Sequence, residues 1–337
     1  IKLFVMTNIY FLENSFDYNA SDLNSNKISG SEKTLINISN ELAKIKDFKV
    51  FVFNNTSKKQ NFQNVCWDNI KNITLNHKAD FVIAMSDANL FRKLSCNNNY
   101  LWSHSVQNIE KFLRKKQLLP FLKYKPKLIL EGRYHFETRG FLTSFYGKKI
   151  IKIAPDYDFI NTHIDISFMS PKNAIFTSRS DRNLEILIDA WTQIRKKNKK
   201  SKLFINPPFN LQKIHQDNEI YLRKKEDKNA LIYDLKNSRL FMVPGHKSEV
   251  FCLAAEEARE LCVPIVTLGY GCLYERVNHG VTGFIAKNKN EFIDYSNQIL
   301  MDDSIFLELR KNIFNLRNSR NYTNVANDLI NYLFKSK

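Results

Sequence analysis

Two glutamates carry the first sign of chemistry. Glu249 and Glu257 bracket a short run containing Phe251, Cys252 and Leu253, after a strand pattern at Leu240 to Val243 that stops at Pro244 and Gly245. Carboxylates so placed can accept hydrogen bonds from hydroxyl groups. A helix beginning near Phe251 offers unpaired N–H groups and the positive end of its dipole, which suits a phosphate. Arg179 and Arg182 follow another strand pattern, at Asn173 to Ser178. Arginines there can neutralise a phosphate or simply face solvent. His104 closes a further strand pattern at Leu101 to His104. A histidine in that place can hydrogen-bond a ligand or carry a proton; a structural role is the plain alternative.

These residues need a frame to hold them. A strand, a loop with Glu249, a helix with Glu257, and a second strand at Pro264 to Leu268 make a β-loop-α-β unit. Its acidic groups fall at the carboxyl end of a strand, where open α/β sheets bind ligands. Five of the chain's 9 glycines (Gly245, Gly269, Gly271, Gly280 and Gly283) sit in this stretch. In a chain that otherwise avoids glycine, they mark left-handed backbone or close approach, or else ordinary turns.

With these residues in view, the chain resembles the retaining GT-B glycosyltransferases of family 4, the glycosyl transferases group 1 type. Glu249-x7-Glu257 resembles that family's E-x7-E signature, and Glu275 to Phe284 resembles its E-x-V-x-x-G-x-x-G-F segment. The stretch Arg179 to Trp191 is similar to G-R-x-K-G-x-x-x-L-I-x-A, with Arg182 in place of the lysine. Near the start, a strand, a loop and a helix resemble the family's first half, with Ser29-Gly30-Ser31-Glu32 standing for G-G-x-E. The resemblance implies an α/β GT-B fold with two Rossmann-like domains facing a central cleft. It also implies a nucleotide-sugar donor held mainly by the second domain. Glu257 would accept from the ribose hydroxyls and Glu249 would contact the sugar. Backbone N–H groups around Phe251, Cys252 and Leu253 would meet sugar and phosphates, with Gly30 and Gly271 also at the donor. Arg179 and Arg182 would stabilise the departing diphosphate, and His104 would serve the acceptor. Retention, no metal and no cofactor beyond the donor complete the expectation. The family commonly has glycine where this chain has Val250 and Cys252. A β-branched valine disfavours positive φ, so a reshaped sugar pocket is expected there.

Composition bounds the class. The 337 residues suit two α/β domains with ample core. The resemblance implies boundaries of 1–160 for the acceptor side, 161–320 for the donor side, and 321–337 for a helix crossing back to the first domain. No run of 18 or more apolar residues reads as a membrane span. Cys66, Cys96, Cys252, Cys262 and Cys272 form no C-x-x-C pair, and no H-x-x-x-H occurs, so reduced thiols, a cytoplasmic setting and no structural metal are expected. The formal net charge is +17. Such charge suits nucleic acid, anionic lipid or a phosphorylated substrate, or simply reflects coding bias towards Lys and Asn.

Along the chain, Lys2 to Met6 reads as the first strand and Asn8 to Ile28 as a loop. Helix-spaced Leu35, Ile36, Ile38 and Leu42 follow, then strands at Lys49 to Phe53 and Phe81 to Met85. Residues 108–127 mix apolar and basic side chains around Pro120, which is expected to break the segment. They read either as a surface for an anionic membrane, at the inner face of the cell membrane, or as a core helix with a solvated basic face. Strand and helix patterns alternate through Leu316, and Tyr322 to Phe334 is a last helix; residues 207–227 show little periodicity. A glycan or lipid-linked acceptor in cell-surface polysaccharide or lipopolysaccharide synthesis follows from the resemblance and the basic segment. The alternatives are a non-catalytic GT-B-like scaffold, suggested by Val250 and Cys252, and a nucleic-acid binder, suggested by charge alone and lacking any recognition motif.

Overall fold

The computed structural model describes residues 6–25, 27–207, 219–224 and 227–335. They form two α/β units. The first holds the described residues up to Ala154 together with those from Tyr322 on, and the second holds Pro155 to Asn321.

The first unit is built on β1 (Thr7–Leu12), β2 (Phe48–Asn54), β3 (Gln60–Phe62), β4 (Val65–Asn69), β5 (Phe81–Met85), β6 (Asn99–Trp102), β7 (Lys127–Leu130) and β8 (Lys148–Ile150). They lie in the order β3-β4-β2-β1-β5-β6-β7-β8, and β3 alone runs antiparallel to its neighbour. A parallel sheet is covered on both faces, so its central strands are apolar throughout. All of Phe81-Val-Ile-Ala-Met85 is buried. The helices are α1 (Gly30–Ala43), α2 (Ile109–Arg114), α3 (Leu118–Tyr124) and α4 (Arg133–Glu137). Ser29 and Glu32 form a capping box at the start of α1, and Leu35, Ile36, Ile38 and Leu42 are wholly buried.

The first described strand is β1, which falls in the stretch read as loop. Ile9, Tyr10, Phe11 and Leu12 form an apolar run between polar neighbours, and all four are buried. Residues 2–5 of the stretch read as the first strand lie outside the described residues. Pro120 does not break the basic segment. It sits in the first turn of α3, where a missing N–H costs nothing. The break comes earlier, at Lys116 with φ 52°.

The second unit begins at Pro155 rather than after residue 160, because α5 (Tyr157–Ile160) buries Phe159 and Ile160 there. Its other helices are α6 (Leu184–Lys197), α7 (Lys228–Lys236), α8 (Leu253–Glu260), α9 (Lys289–Met301) and α10 (Asp303–Leu316). Its strands are β9 (Ala174–Phe176), β10 (Leu203–Ile205), β11 (Ile220–Leu222), β12 (Leu240–Met242), β13 (Ile265–Thr267) and β14 (Gly283–Ile285), parallel throughout and ordered β11-β10-β9-β12-β13-β14. Most of the stretch 207–227 lies outside the described residues.

The last helix, α11 (Tyr322–Lys335), belongs to the first unit. Its Phe334 ring packs on Phe48 and Phe81, with centroids 5.9 and 5.1 Å away, and Tyr322 Oη lies 3.3 Å from Thr34 Oγ1 on α1.

Candidate functional site

The second sheet reverses its strand order between β9 and β12. Open α/β sheets bind ligands at such a point, outside the carboxyl ends of the strands. The sequence places Thr177 to Asn183 after β9 and Val243 to Cys252 after β12.

The loop after β9 is drawn onto the loop after β12. Asn183 takes a left-handed backbone, φ 61°, and its Nδ2 donates to the Gly245 carbonyl at 2.5 Å. Arg182 Nη1 donates to Ser248 Oγ and lies 3.5 Å from His246 Nδ1. Arg179 is placed differently. Its guanidinium grips Asp181 through Nε and Nη2 at 3.1 and 2.9 Å, and it is exposed.

The loop with Glu249 is held from its other side by the turn after β13. Gly271 has φ +67°, and a Cβ there would lie 2.3 Å from the His246 carbonyl oxygen and 2.8 Å from that of Glu249. Only glycine allows this approach. Burial pushes the Glu249 carboxyl above its ordinary range, against the opposing pull of Arg182. Its Oε2 is buried with no hydrogen-bond partner, and so are Thr177 Oγ1 and Ser178 Oγ at the end of β9. Buried polar atoms are normally paired. Thr177 and Ser178 follow β9, and Glu249 lies in the loop after the adjacent β12.

Helix α8 opens beside them. Its first N–H groups have no intrahelical acceptor, and its N-cap is Cys252, with φ 58°. Among the described residues, the left-handed backbone falls on Cys252 and not on Val250. The positive φ that a β-branched valine would resist therefore falls on an unbranched residue. The helix begins at Leu253 rather than at Phe251 for the same reason, since a left-handed Cys252 cannot lie inside it. Phe251 is fixed by the Arg276 guanidinium, 4.1 Å above its ring, and Arg276 in turn pairs with Glu256 at 2.9 Å. Glu257 starts the second turn of α8 and is buried.

Gly30 and His104 lie in the first unit. Gly30 is the opening residue of α1. His104 follows β6, and its Nδ1 lies 2.5 Å from Glu131 Oε1. Burial opposes charge on this imidazole, but Glu131, then Glu32 and Glu13, more than reverse that, and its pKa stands above the ordinary value.

Thus the second unit brings Arg182, Glu249, Phe251, Cys252, Leu253 and Gly271 together, with Arg179 on the rim. Sequence reasoning assigned no role to Asn183, His246, Ser248, Thr177 or Ser178. The only signal was their place in loops after strands. Glu131 gave no signal, because its pairing with His104 joins separate strands.

Residues 168–315 match the family described as Glycosyl transferases group 1. A comparison with curated proteins found no match. Among solved structures, the chain is similar to HepE from Anabaena in complex with UDP-glucose, at 16% identity, TM-score 0.70, covering 97% of this chain and 99% of that one. It is similar to WaaG, a glycosyltransferase involved in lipopolysaccharide biosynthesis, at 10% identity, TM-score 0.70, covering 97% and 99%. It is also similar to TarM from S. aureus, at 16% identity and TM-score 0.61; the match covers 75% of this chain and spans 55% of that one. The fold is GT-B.

Proposed function

We propose that this GT-B chain, whose residues 168–315 match the glycosyl transferases group 1 family, moves a sugar from a nucleotide-sugar donor to a glycan or lipid-linked acceptor. The observation that carries this reading is the switch in strand order between β9 and β12, where Arg182 from the loop after β9 bonds Ser248 and acts on the buried carboxyl of Glu249, whose Oε2 has no partner. A diphosphate suits Arg182 and the helix end, and sugar hydroxyls suit the Glu249 carboxyl. Glu257 receives the ribose. Charge grows on the leaving diphosphate as the glycosidic bond breaks, and Arg182, already held by Ser248, stabilises it without reorganising. Arg179 joins once it releases Asp181. The proposed outcome is retention, by front-face attack with the leaving phosphate taking the acceptor's proton. His104 serves the acceptor, and Gly30 and Gly271 serve the donor. HepE was solved with UDP-glucose, which makes UDP the first nucleotide to try.

A thermal-shift panel of UDP, GDP, ADP and CMP with their common sugar conjugates tests the donor site. A ligand at about a hundred times its dissociation constant raises stability by about 2.7 kcal/mol. One nucleotide should shift the wild type and fail to shift Glu257→Ala. A nucleotide that binds without sugar transfer to any acceptor would favour the scaffold reading instead. The configuration of the transferred sugar, read by NMR, decides retention.

The acceptor is proposed to lie at an anionic membrane, in polysaccharide or lipopolysaccharide synthesis. Helices α2 and α3 and the turn Phe141–Phe145 pack on one core through Phe112, Phe121, Leu142 and Tyr146. They leave Ile109, Leu113, Leu119, Phe141 and Phe145 exposed beside Lys115, Lys116, Lys123 and Lys125. Apolar side chains rimmed by lysines fit an anionic lipid surface. Among the described residues no helix is long and apolar enough to cross a membrane. Anionic liposomes should retain the protein at low salt and release Phe141→Ser/Phe145→Ser; equal retention of both would remove the membrane from the proposal.

A further inference from the structure

Two histidines in the first unit, His135 wholly buried and His104 half-buried, are satisfied very differently. His135 on α4 is complete: its Nδ1 accepts the Glu131 N–H at 3.2 Å, and its Nε2 lies 3.1 Å from the Ser105 carbonyl. Those partners require a neutral ring with the proton on Nε2. Burial, the dominant influence, lowers its pKa to about 4, so it stays neutral near pH 7. It anchors the backbone at Glu131.

His104 is only half satisfied. Its backbone N–H donates to Ser86 Oγ at 3.0 Å, and its ring stacks on Trp102 with an interplanar angle of 19°. The Glu131 carboxylate takes Nδ1–H at 2.5 Å. Nε2 is buried and has no partner. A histidine serving packing alone would end as His135 does, with both nitrogens used. A carboxylate on Nδ1 settles which nitrogen carries the proton, and leaves Nε2 to meet whatever enters.

We propose that Glu131 is a positioning residue: it holds the His104 ring and its tautomer so that Nε2 meets a hydroxyl of the sugar acceptor, and His135 anchors Glu131 from behind. The inference rests on the acceptor-side reading of His104. The groups facing this pair are Glu13 after β1, Glu32 on α1, and His135 on α4, with Lys111 on α2 acting on His135. Glu131 stands closest to the ring and has the largest hold on its charge after burial itself.

The test is a pH titration of ring-labelled histidines by nitrogen NMR, in the full chain, for the wild type, Glu131→Gln and Glu131→Asp. The amide keeps the shape and loses the charge. Expected is a fall in the His104 pKa in Glu131→Gln, loss of its fixed Nδ1–H form, and a smaller effect in Glu131→Asp. Identical His104 titrations in all three proteins would overturn the proposal; if Glu131→Gln fails to fold, Glu131→Asp carries the comparison. The second arm follows UDP release from UDP-glucose across pH with an acceptor panel. Expected is a kcat about a hundredfold lower in Glu131→Gln, donor KM unchanged, a shifted pH profile, and no further loss when His104→Ala is added. Full turnover by His104→Ala, with the NMR coupling intact, would overturn the role in transfer and leave the pairing. Absence of wild-type turnover with every nucleotide sugar would count against the transferase reading, and the NMR arm would still decide whether Glu131 holds the ring.

Discussion

The backbone N–H of Cys272 donates to the carbonyl of Glu249 at 3.0 Å. The turn after β13 thereby grips the loop after β12, and Gly271 lies against the same carbonyl. Gly271→Ala meets both a clash and a left-handed backbone. It should destabilise the protein by about 1–3 kcal/mol and weaken nucleotide binding by more than the same loss of stability placed elsewhere in the second unit. Urea unfolding and nucleotide titration check this together; unchanged binding in a folded variant would refute the clamp.

Cys252 is an unbranched residue in a conformation that favours glycine. Replacing it with glycine relieves the backbone and gives up a small buried side chain, so stability should change by no more than about 1 kcal/mol. Cys252→Val should cost about 1–3 kcal/mol, because a β-branched side chain resists positive φ. Chemical denaturation of the two variants separates these outcomes.

Glu249 contributes to pH dependence with a definite sign. Its pKa is raised in the folded state, so between the unfolded and folded pKa values the native protein holds the proton more tightly. Stability from this group therefore falls as pH rises through that window, and the buried carboxylate is a cost at pH 7. Glu249→Gln should melt above the wild type at pH 7, lose that advantage below the unfolded glutamate pKa, and lose sugar transfer. Melting temperatures across pH 4 to 8 test it; a variant less stable than wild type at pH 7 contradicts the sign.

Arg276 and Glu256 are both buried and bonded at 2.9 Å. Removing one partner leaves a buried charge short of a bond, which typically costs 3–5 kcal/mol. Arg259 also reaches Glu256, at 2.5 Å, so Arg276→Ala is expected at the low end, about 3 kcal/mol. It also frees the Phe251 ring from the cation above it. Denaturation and the fluorine spectrum of a labelled Phe251 report the two effects separately.

Much of the frame was legible locally. The wholly buried Phe81 to Met85 strand needs no partner to be recognised, and the Ser29–Glu32 box marks its own helix. The short edge strand β3 and its partner β4 were not legible, because Gln60 to Phe62 carries no apolar alternation and is a strand only by pairing with Val65 to Trp67. The Glu249–Glu257 spacing was plain in the sequence. The helix start was misplaced by two residues because left-handed φ at Cys252 is imposed by the surrounding loop, not by the residue type.

By itself the sequence determined which residues carry charge, most of the alternation of strands and helices, and the glycines on which a tight loop depends. Those follow from side-chain type and from periods of two and of about 3.6 residues, which are properties of neighbours in the chain. Tertiary structure alone decided that Arg182 reaches Ser248, that Asn183 meets Gly245, and that Glu131 takes the proton side of His104. The reason is physical: β9 lies beside β12, and β6 beside β7, because their apolar faces bury together across long separations in sequence. No local pattern encodes which strand becomes whose neighbour, and the loops that make the site inherit their contacts from that choice.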